Sequence, residues 1–120
     1  MSKILIIGAG PGGTTAALQL AKLGIKCTIV DKAIFPRDKV CGDGLSAKVV
    51  SLMQRLNDGM MADFATLTNE NLPSWGIKFV APNGFDLEIP FHKDYQTTDD
   101  LPAGYVSKRI DFDNFFGKSN

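Results

Sequence analysis

The sequence predicts an α/β fold, a β-turn-α-β unit with a β-hairpin added after it, and three observations predict it. Residues 3–7, Lys-Ile-Leu-Ile-Ile, are a short continuous apolar run of the kind a fully buried parallel strand needs. A glycine-rich turn, Gly8 to Gly13, follows at once. Residues 26–31 then make a second strand-like run that ends in Asp31, which closes the unit within about thirty residues.

Between the two strands, Thr14 to Leu23 reads as a helix with Ala17, Leu18, Leu20 and Ala21 toward the sheet, and Gly24 stands where a helix C-terminal glycine belongs. Residues 33–44 are irregular, broken by Pro36, Gly42 and Gly44. From about Leu45 to Leu56 the apolar residues Leu45, Val49, Leu52 and Leu56 recur at helical spacing, and Asn57-Asp58-Gly59 ends that helix. Residues 60–74 are ambiguous. Residues 75–91 predict a hairpin, with Ile77, Phe79 and Ala81 alternating on one side, Phe85, Leu87, Ile89 and Phe91 on the other, and Pro82-Asn83-Gly84 as the turn. Trp75 is expected to pack on this hairpin. Residues 92–104 are loop-like, a short strand is expected near Tyr105-Val106-Ser107, and a helix starts near Asp111. Phe112, Phe115 and Phe116 form an apolar face that these 120 residues are expected to leave uncovered.

Bulk properties exclude several classes of function. Thirteen basic residues balance thirteen acidic ones, so no net charge draws the chain to nucleic acid or to an anionic membrane surface. The apolar run near the start is only Ile4 to Ile7, too short for a signal-peptide core or a membrane span, and a cytoplasmic location is the expectation. Association of a longer chain with a membrane surface, and the oligomeric state, leave no signature here. Cys27 and Cys41 are too few for a disulfide scaffold and lack zinc-site spacing, and His92 stands alone, so no metal site is expected. Cys27 alternates with Ile29 and is read as core.

Gly8-Ala9-Gly10-Pro11-Gly12-Gly13 matches G-x-G-x-x-G in the context that gives the pattern meaning: a strand before it, a helix opening from it, and Asp31 at the tip of the next strand. This makes the unit Rossmann-like. Gly8 permits the tight turn, Gly10 lets a pyrophosphate approach the backbone, and Gly13 lets the helix lie close to the sheet. The amides of the first helical turn lack intrahelical partners and face a phosphate, and the helix dipole adds positive potential there. Asp31 is placed to accept hydrogen bonds from an adenosine ribose, and its charge opposes a 2′-phosphate. The competing interpretation is a glycine turn with no ligand. The βαβ unit by itself does not decide between NAD and FAD.

Residues 35–46, Phe35-Pro36-Arg37-Asp38-Lys39-Val40-Cys41-Gly42-Asp43-Gly44-Leu45-Ser46, bear on that choice. With the opening glycine motif, and with Arg109-Ile110-Asp111-Phe112-Asp113 resembling an R-x-x-F-D element, the sequence resembles the geranylgeranyl reductase family of flavoproteins, within the p-hydroxybenzoate hydroxylase-like superfamily. Asp43 departs from relatives that carry glycine there. The resemblance implies that the chain is the N-terminal portion of an FAD-binding domain, with an incomplete parallel sheet completed elsewhere in a larger flavoprotein. It also implies that the hairpin at about 75–91 is inserted from, or leads to, a substrate domain. It implies Arg37 and the Cys41-Gly42 backbone along the flavin side of FAD, Arg109 holding the extended cofactor, and Lys32 near the adenosine. Arginine serves such contacts better than lysine because its guanidinium presents several fixed donors. Cys41 is expected near the active site, with Lys39 or Arg37 as a neighbouring cation. A small residue fitting beside the flavin is the preferred role, and a nucleophile is not proposed. Asp113 is read as a helix cap or as part of the family element.

The implied parent activity is FAD-dependent reduction of isoprenoid carbon–carbon double bonds, with NAD(P)H as transient electron donor and a small, lipid-like substrate. The alternatives are monooxygenase or halogenase chemistry in the same superfamily, a plain dinucleotide-binding module without turnover, or a truncated remnant that binds nothing.

Overall fold

The computed structural model of the protein describes residues 3–57, 59–91 and 102–118; His92 and most of the predicted 92–104 loop lie outside them. Strand β1 (Leu5–Ile7) runs into the glycine turn, helix α1 (Pro11–Lys22) returns, and β2 (Thr28–Val30) lies parallel to β1 with Ile6 opposite Ile29. Helix α1 starts three residues before the sequence suggests. Pro11 occupies a first-turn position that suits its fixed φ and its missing N–H, and Gly12 and Gly13 are carried inside the helix. After the C-cap, Gly24 adopts φ +74° and its amide donates to the Ala21 carbonyl at 2.9 Å.

The expected burial of β1 is corrected. Leu5 is 60% and Ile7 83% exposed, because among the described residues β2 alone flanks the strand and α1 covers only one face of the pair. On α1 the buried residues are Thr14, Ala17 and Leu18, whereas Ala21 is exposed.

Downstream, β3 (Gly44–Leu45) precedes α2 (Ala47–Leu56), and the ambiguous stretch resolves into α3 (Met60–Thr66) and β4 (Asn71–Ser74). The Asn71 side-chain amide donates to the Phe64 and Leu67 carbonyls at 2.7 and 2.9 Å, which caps the open end of α3 and fixes where β4 departs. The hairpin consists of β5 (Gly76–Val80) and β6 (Asp86–Pro90), with Ile77 opposite Ile89 and Phe79 opposite Leu87. Its turn is closed by Ala81 N–H to the Phe85 carbonyl at 2.7 Å and by Gly84 at φ +84°. Trp75 sits at its base, where its carbonyl accepts the Phe91 amide. The hairpin's apolar side chains are exposed; Phe79 and Leu87 each keep more than half of their surface. Strand β7 (Gly104–Ser107) lies antiparallel between β3 and β4, and α4 (Arg109–Lys118) follows it.

The core forms where α2, α3, α4 and this second sheet meet. Helix α2 buries Leu56 as expected, but Val50 and Met53 take the core positions one residue on from the predicted Val49 and Leu52, which are only half-buried. Leu45 is also buried in the core but belongs to β3, so the helix begins later than expected. The phenylalanine face of α4 is not left uncovered, contrary to expectation: Phe112 and Phe116 are each 3% exposed. Helix α3 supplies the missing partner. Phe64 meets Tyr105 and Phe112 edge-on, with ring centroids 5.3 and 6.0 Å away, and Met60 and Met61 fill in around it.

Among the described residues no helix is long and apolar enough to cross a membrane, and no group of three His, Cys, Asp or Glu side chains is placed to hold a metal ion. Cys27, half-buried one residue ahead of β2, and the exposed Cys41 are both free thiols.

Candidate cofactor site

The glycine motif divides into two kinds of position. Gly8 has φ +110°, which only glycine adopts without strain, and its amide donates to the Val30 carbonyl at 2.7 Å, tying the turn to the end of β2. Gly13 lies in the first turn of α1, directly against that turn. A Cβ built on it overlaps the Gly8 carbonyl oxygen and lies 3.1 Å from Ile6 Cγ2. These two glycines shape the backbone. Gly12 has nothing within 4 Å of a built Cβ, and Gly10 has only Arg37 Nη2 at 3.4 Å. These two border open space.

The first intrahelical bond of α1 runs from the Thr14 amide to the Gly10 carbonyl at 2.9 Å. The Gly12 and Gly13 amides precede it and point out of the helix end, where the aligned peptide dipoles concentrate positive potential. Pro11, at the same end, has no amide to orient. Thr14 Oγ1 donates to the Ala9 carbonyl at 3.1 Å and stiffens the turn.

Asp31 is stapled to this turn. Its Oδ2 accepts the Ala9 amide and its Oδ1 the Ala33 amide, both at 2.7 Å. The Ala9 bond, then the Ala33 bond, hold the carboxyl below the usual carboxylate range, with smaller help from the charges of Arg37 and Lys32. Each oxygen retains a lone pair for a further donor. Asp31, Ala9, Thr14, Ala33, Phe35 and Asn114 border a cleft of about 470 Å³. Because the folded-state pKa is depressed, the contribution of the staple is complete above the unfolded value of about 4 and is lost as pH falls through the lower, folded value. The expected result is a carboxyl-carbon NMR titration of Asp31 with a midpoint below that of an unstructured aspartate; an ordinary midpoint contradicts the staple.

Two of the remaining predicted residues, Arg37 and Arg109, meet at one carboxylate. Asp113 lies inside α4, so it is not the cap of that helix, and its side chain is fully buried. Its Oδ2 accepts Arg37 Nη1 at 2.6 Å, while Arg109 donates through Nε to Oδ1 at 2.7 Å and through Nη2 to Oδ2 at 3.0 Å. The Asp113 hydrogen bond raises the Arg109 pKa further above its ordinary value, and the nearby Cys41 side chain adds to this. Arg109 is thus a cation beside Cys41, one the sequence does not single out. The Arg37 guanidinium stacks over the Phe35 ring at 4.8 Å. Gly42 lies in the exposed stretch before β3, with nothing within 4 Å of a built Cβ, and Lys32 is exposed beside Asp31.

Sequence reasoning did not find the role of Asp113 or the Ala9–Asp31 staple. The four-residue spacing of Arg109 and Asp113 on one helix is the signal that points to their pairing.

Residues 1–105 match the family described as "FAD binding domain". The chain belongs to the FAD-binding-domain family. This FAD-binding domain is 40% identical over 88 residues to the menaquinone reductase of Mycolicibacterium smegmatis, covering 73% of the chain and 20% of that protein. It is 32% identical to digeranylgeranylglycerophospholipid reductase 1 of Methanothermobacter thermautotrophicus, covering 93% of the chain and 25% of the relative. Among solved structures, a flavoprotein/dehydrogenase from Cytophaga hutchinsonii superposes with a TM-score of 0.78 at 26% identity, covering 98% of the chain and 27% of that structure. The flavin-dependent halogenase CmlS superposes with a TM-score of 0.70 at 28% identity, covering 97% of the chain and 20% of that structure. The FAD-binding domain thus spans about a fifth to a quarter of the length of the relatives it matches. Its own residues fit an extended dinucleotide: outward amides at one helix end, no side chain at Gly12 to fill the approach, and a carboxylate acceptor stapled to the same turn.

Proposed function

We propose that this chain forms the adenine-dinucleotide end of a flavin-dependent oxidoreductase of the geranylgeranyl reductase kind, which reduces carbon–carbon double bonds of an isoprenoid lipid with NAD(P)H as donor. The observation that carries the reading is the Ala9–Asp31 bond at 2.7 Å, which sets a sugar-binding carboxylate against a phosphate-binding turn. In this reading the Gly12 and Gly13 amides meet the diphosphate, with Gly8, Gly10 and Pro11 shaping its approach. Asp31 accepts the ribose hydroxyls, with Lys32 beside it, and Arg37, expected along the flavin side, instead supplies charge at the diphosphate, because its Nη2 borders Gly10. Cys41, Gly42 and Arg109 lie toward the flavin. FAD, when bound, would supply the redox chemistry, and the residues named above would bind and orient it.

An apolar substrate fits a second cleft of about 470 Å³, immediately beyond the 41–43 segment and bordered by Leu45, Ala47, Phe91, Tyr105 and Val106. The exposed apolar hairpin would continue toward a substrate domain. The two reductase relatives favour this chemistry. The likeness to CmlS favours a second reading, halogenation or monooxygenation on the same cofactor frame.

Purified protein should carry flavin absorbance, bleach anaerobically with NADH or NADPH, and saturate a prenyl lipid. Bleaching with no saturated product, but with halide- or oxygen-dependent products, would favour the second reading. A protein that takes up no flavin would overturn both. Asp31→Ala is expected to weaken FAD retention by about ten- to a hundredfold, the scale of lost hydrogen bonds to a charged group. Equilibrium dialysis checks this, and unchanged affinity removes Asp31 from the site.

A further inference from the structure

Asp113 does not border the cleft, yet it holds the one side chain that, among the described residues, borders Gly10. Arg37 is held at two points, Nη1 bonded to Asp113 at 2.6 Å and the guanidinium over the Phe35 ring at 4.8 Å, and its Nη2 lies on the Gly10 side, 3.4 Å from the position a Cβ on that glycine would take. Arg109 occupies the other side of the same carboxylate with two donors, which leaves Asp113 satisfied on both oxygens. Two cations around one anion give the cluster a net charge of +1. It lies beside the positive end of α1. An unanchored arginine would lose its long side chain's conformational freedom on engaging a ligand; one already held has given up that freedom in folding.

We propose that Asp113 is a positioning residue which, by gripping one arm of the Arg37 guanidinium, presents the other arm to the diphosphate of a dinucleotide bound at Gly10. The inference rests on the FAD site proposed above. Lysine cannot replace this arginine, because a single ammonium does not reach the carboxylate and the Gly10 border as a planar fork does.

The test is a double-mutant cycle on FAD affinity, read by quenching of flavin fluorescence, with Asp113→Asn, Arg37→Ala and the pair. Asp113→Asn is expected to weaken FAD about tenfold, and to add nothing once Arg37 is gone. NMR supplies an independent readout. The Nη signals of a gripped Arg37 are resolved from one another in the parent and collapse together in Asp113→Asn, which a purely structural role exerted through Arg109 would not produce. If Asp113→Asn does not fold, Arg37→Lys replaces it at a side chain that is 21% exposed, and it should bind FAD about as weakly as Arg37→Ala. The proposal is overturned by full FAD affinity in folded Asp113→Asn or in Arg37→Lys, by losses that multiply in the double variant, or by unchanged Arg37 signals. A parent protein that binds no FAD overturns the proposed function as well, which separates the two failures.

Discussion

Gly13→Ala is expected to cost roughly 3 kcal/mol or more of stability, enough to unfold a marginal domain. The added methyl group overlaps the Gly8 carbonyl oxygen, and that oxygen belongs to backbone held on both sides. Gly8 is fixed at φ +110° by the turn, and its amide is bonded to Val30 across the parallel pair. Ile6 Cγ2 closes a second direction at 3.1 Å. Relief therefore requires α1 to move off β1, which disrupts the packing of Ala17 and Leu18. Thermal denaturation followed by circular dichroism measures the loss. A Gly13→Ala protein that melts with the parent would show that α1 does not lie this close.

Gly10→Val, three residues away in the same motif, is expected to do the opposite: to leave the fold intact and lower FAD affinity by about a hundredfold or more. Gly10 is the N-cap with φ −71° and ψ −175°, extended backbone open to any residue. A Cβ there meets only the far end of the partly exposed Arg37 side chain at 3.4 Å, an ordinary contact. The space into which the valine methyl groups project borders the outward amides of α1, where a diphosphate must approach closely. The melting temperature of the FAD-free protein should stay near that of the parent while FAD dialyses away. A Gly10→Val protein that remains yellow places the cradle elsewhere. The contrast between the two variants separates glycines that serve the backbone from glycines that serve a ligand.

The βαβ unit was legible because its signals are local: an apolar run, a turn that only glycine makes without strain, and an acid at a strand tip. The hairpin was legible for the same reason, since alternation and Pro82-Asn83-Gly84 lie within one short window. Helix α3 and strand β4 were not, because residues 60–74 have no strong period of their own and are organised by tertiary partners, Phe64 against Tyr105 and Phe112 and the Asn71 amide against α3. That gap explains the misjudged phenylalanine face of α4, whose cover comes from α3. The later start of α2 was not legible because Leu45 pairs with Tyr105 in a strand, an antiparallel partnership across some sixty residues that periodicity does not encode. At the site, residue types were readable and their bonding was not. Arg37 and Arg109 carry obvious charge, but their convergence on Asp113 depends on where α4 lies relative to the loop after β2.

The central claim is that the outward amides at the start of α1 and the Asp31 carboxylate hold the adenosine diphosphate part of FAD. The most direct measurement is an amide NMR titration of the glycine-labelled, FAD-free protein with FAD. The account predicts that the Gly10, Gly12 and Gly13 signals move most and saturate together with flavin fluorescence quenching, and that Asp31→Ala weakens that titration. FAD binding with these three signals unmoved, or with no dependence on Asp31, would contradict it.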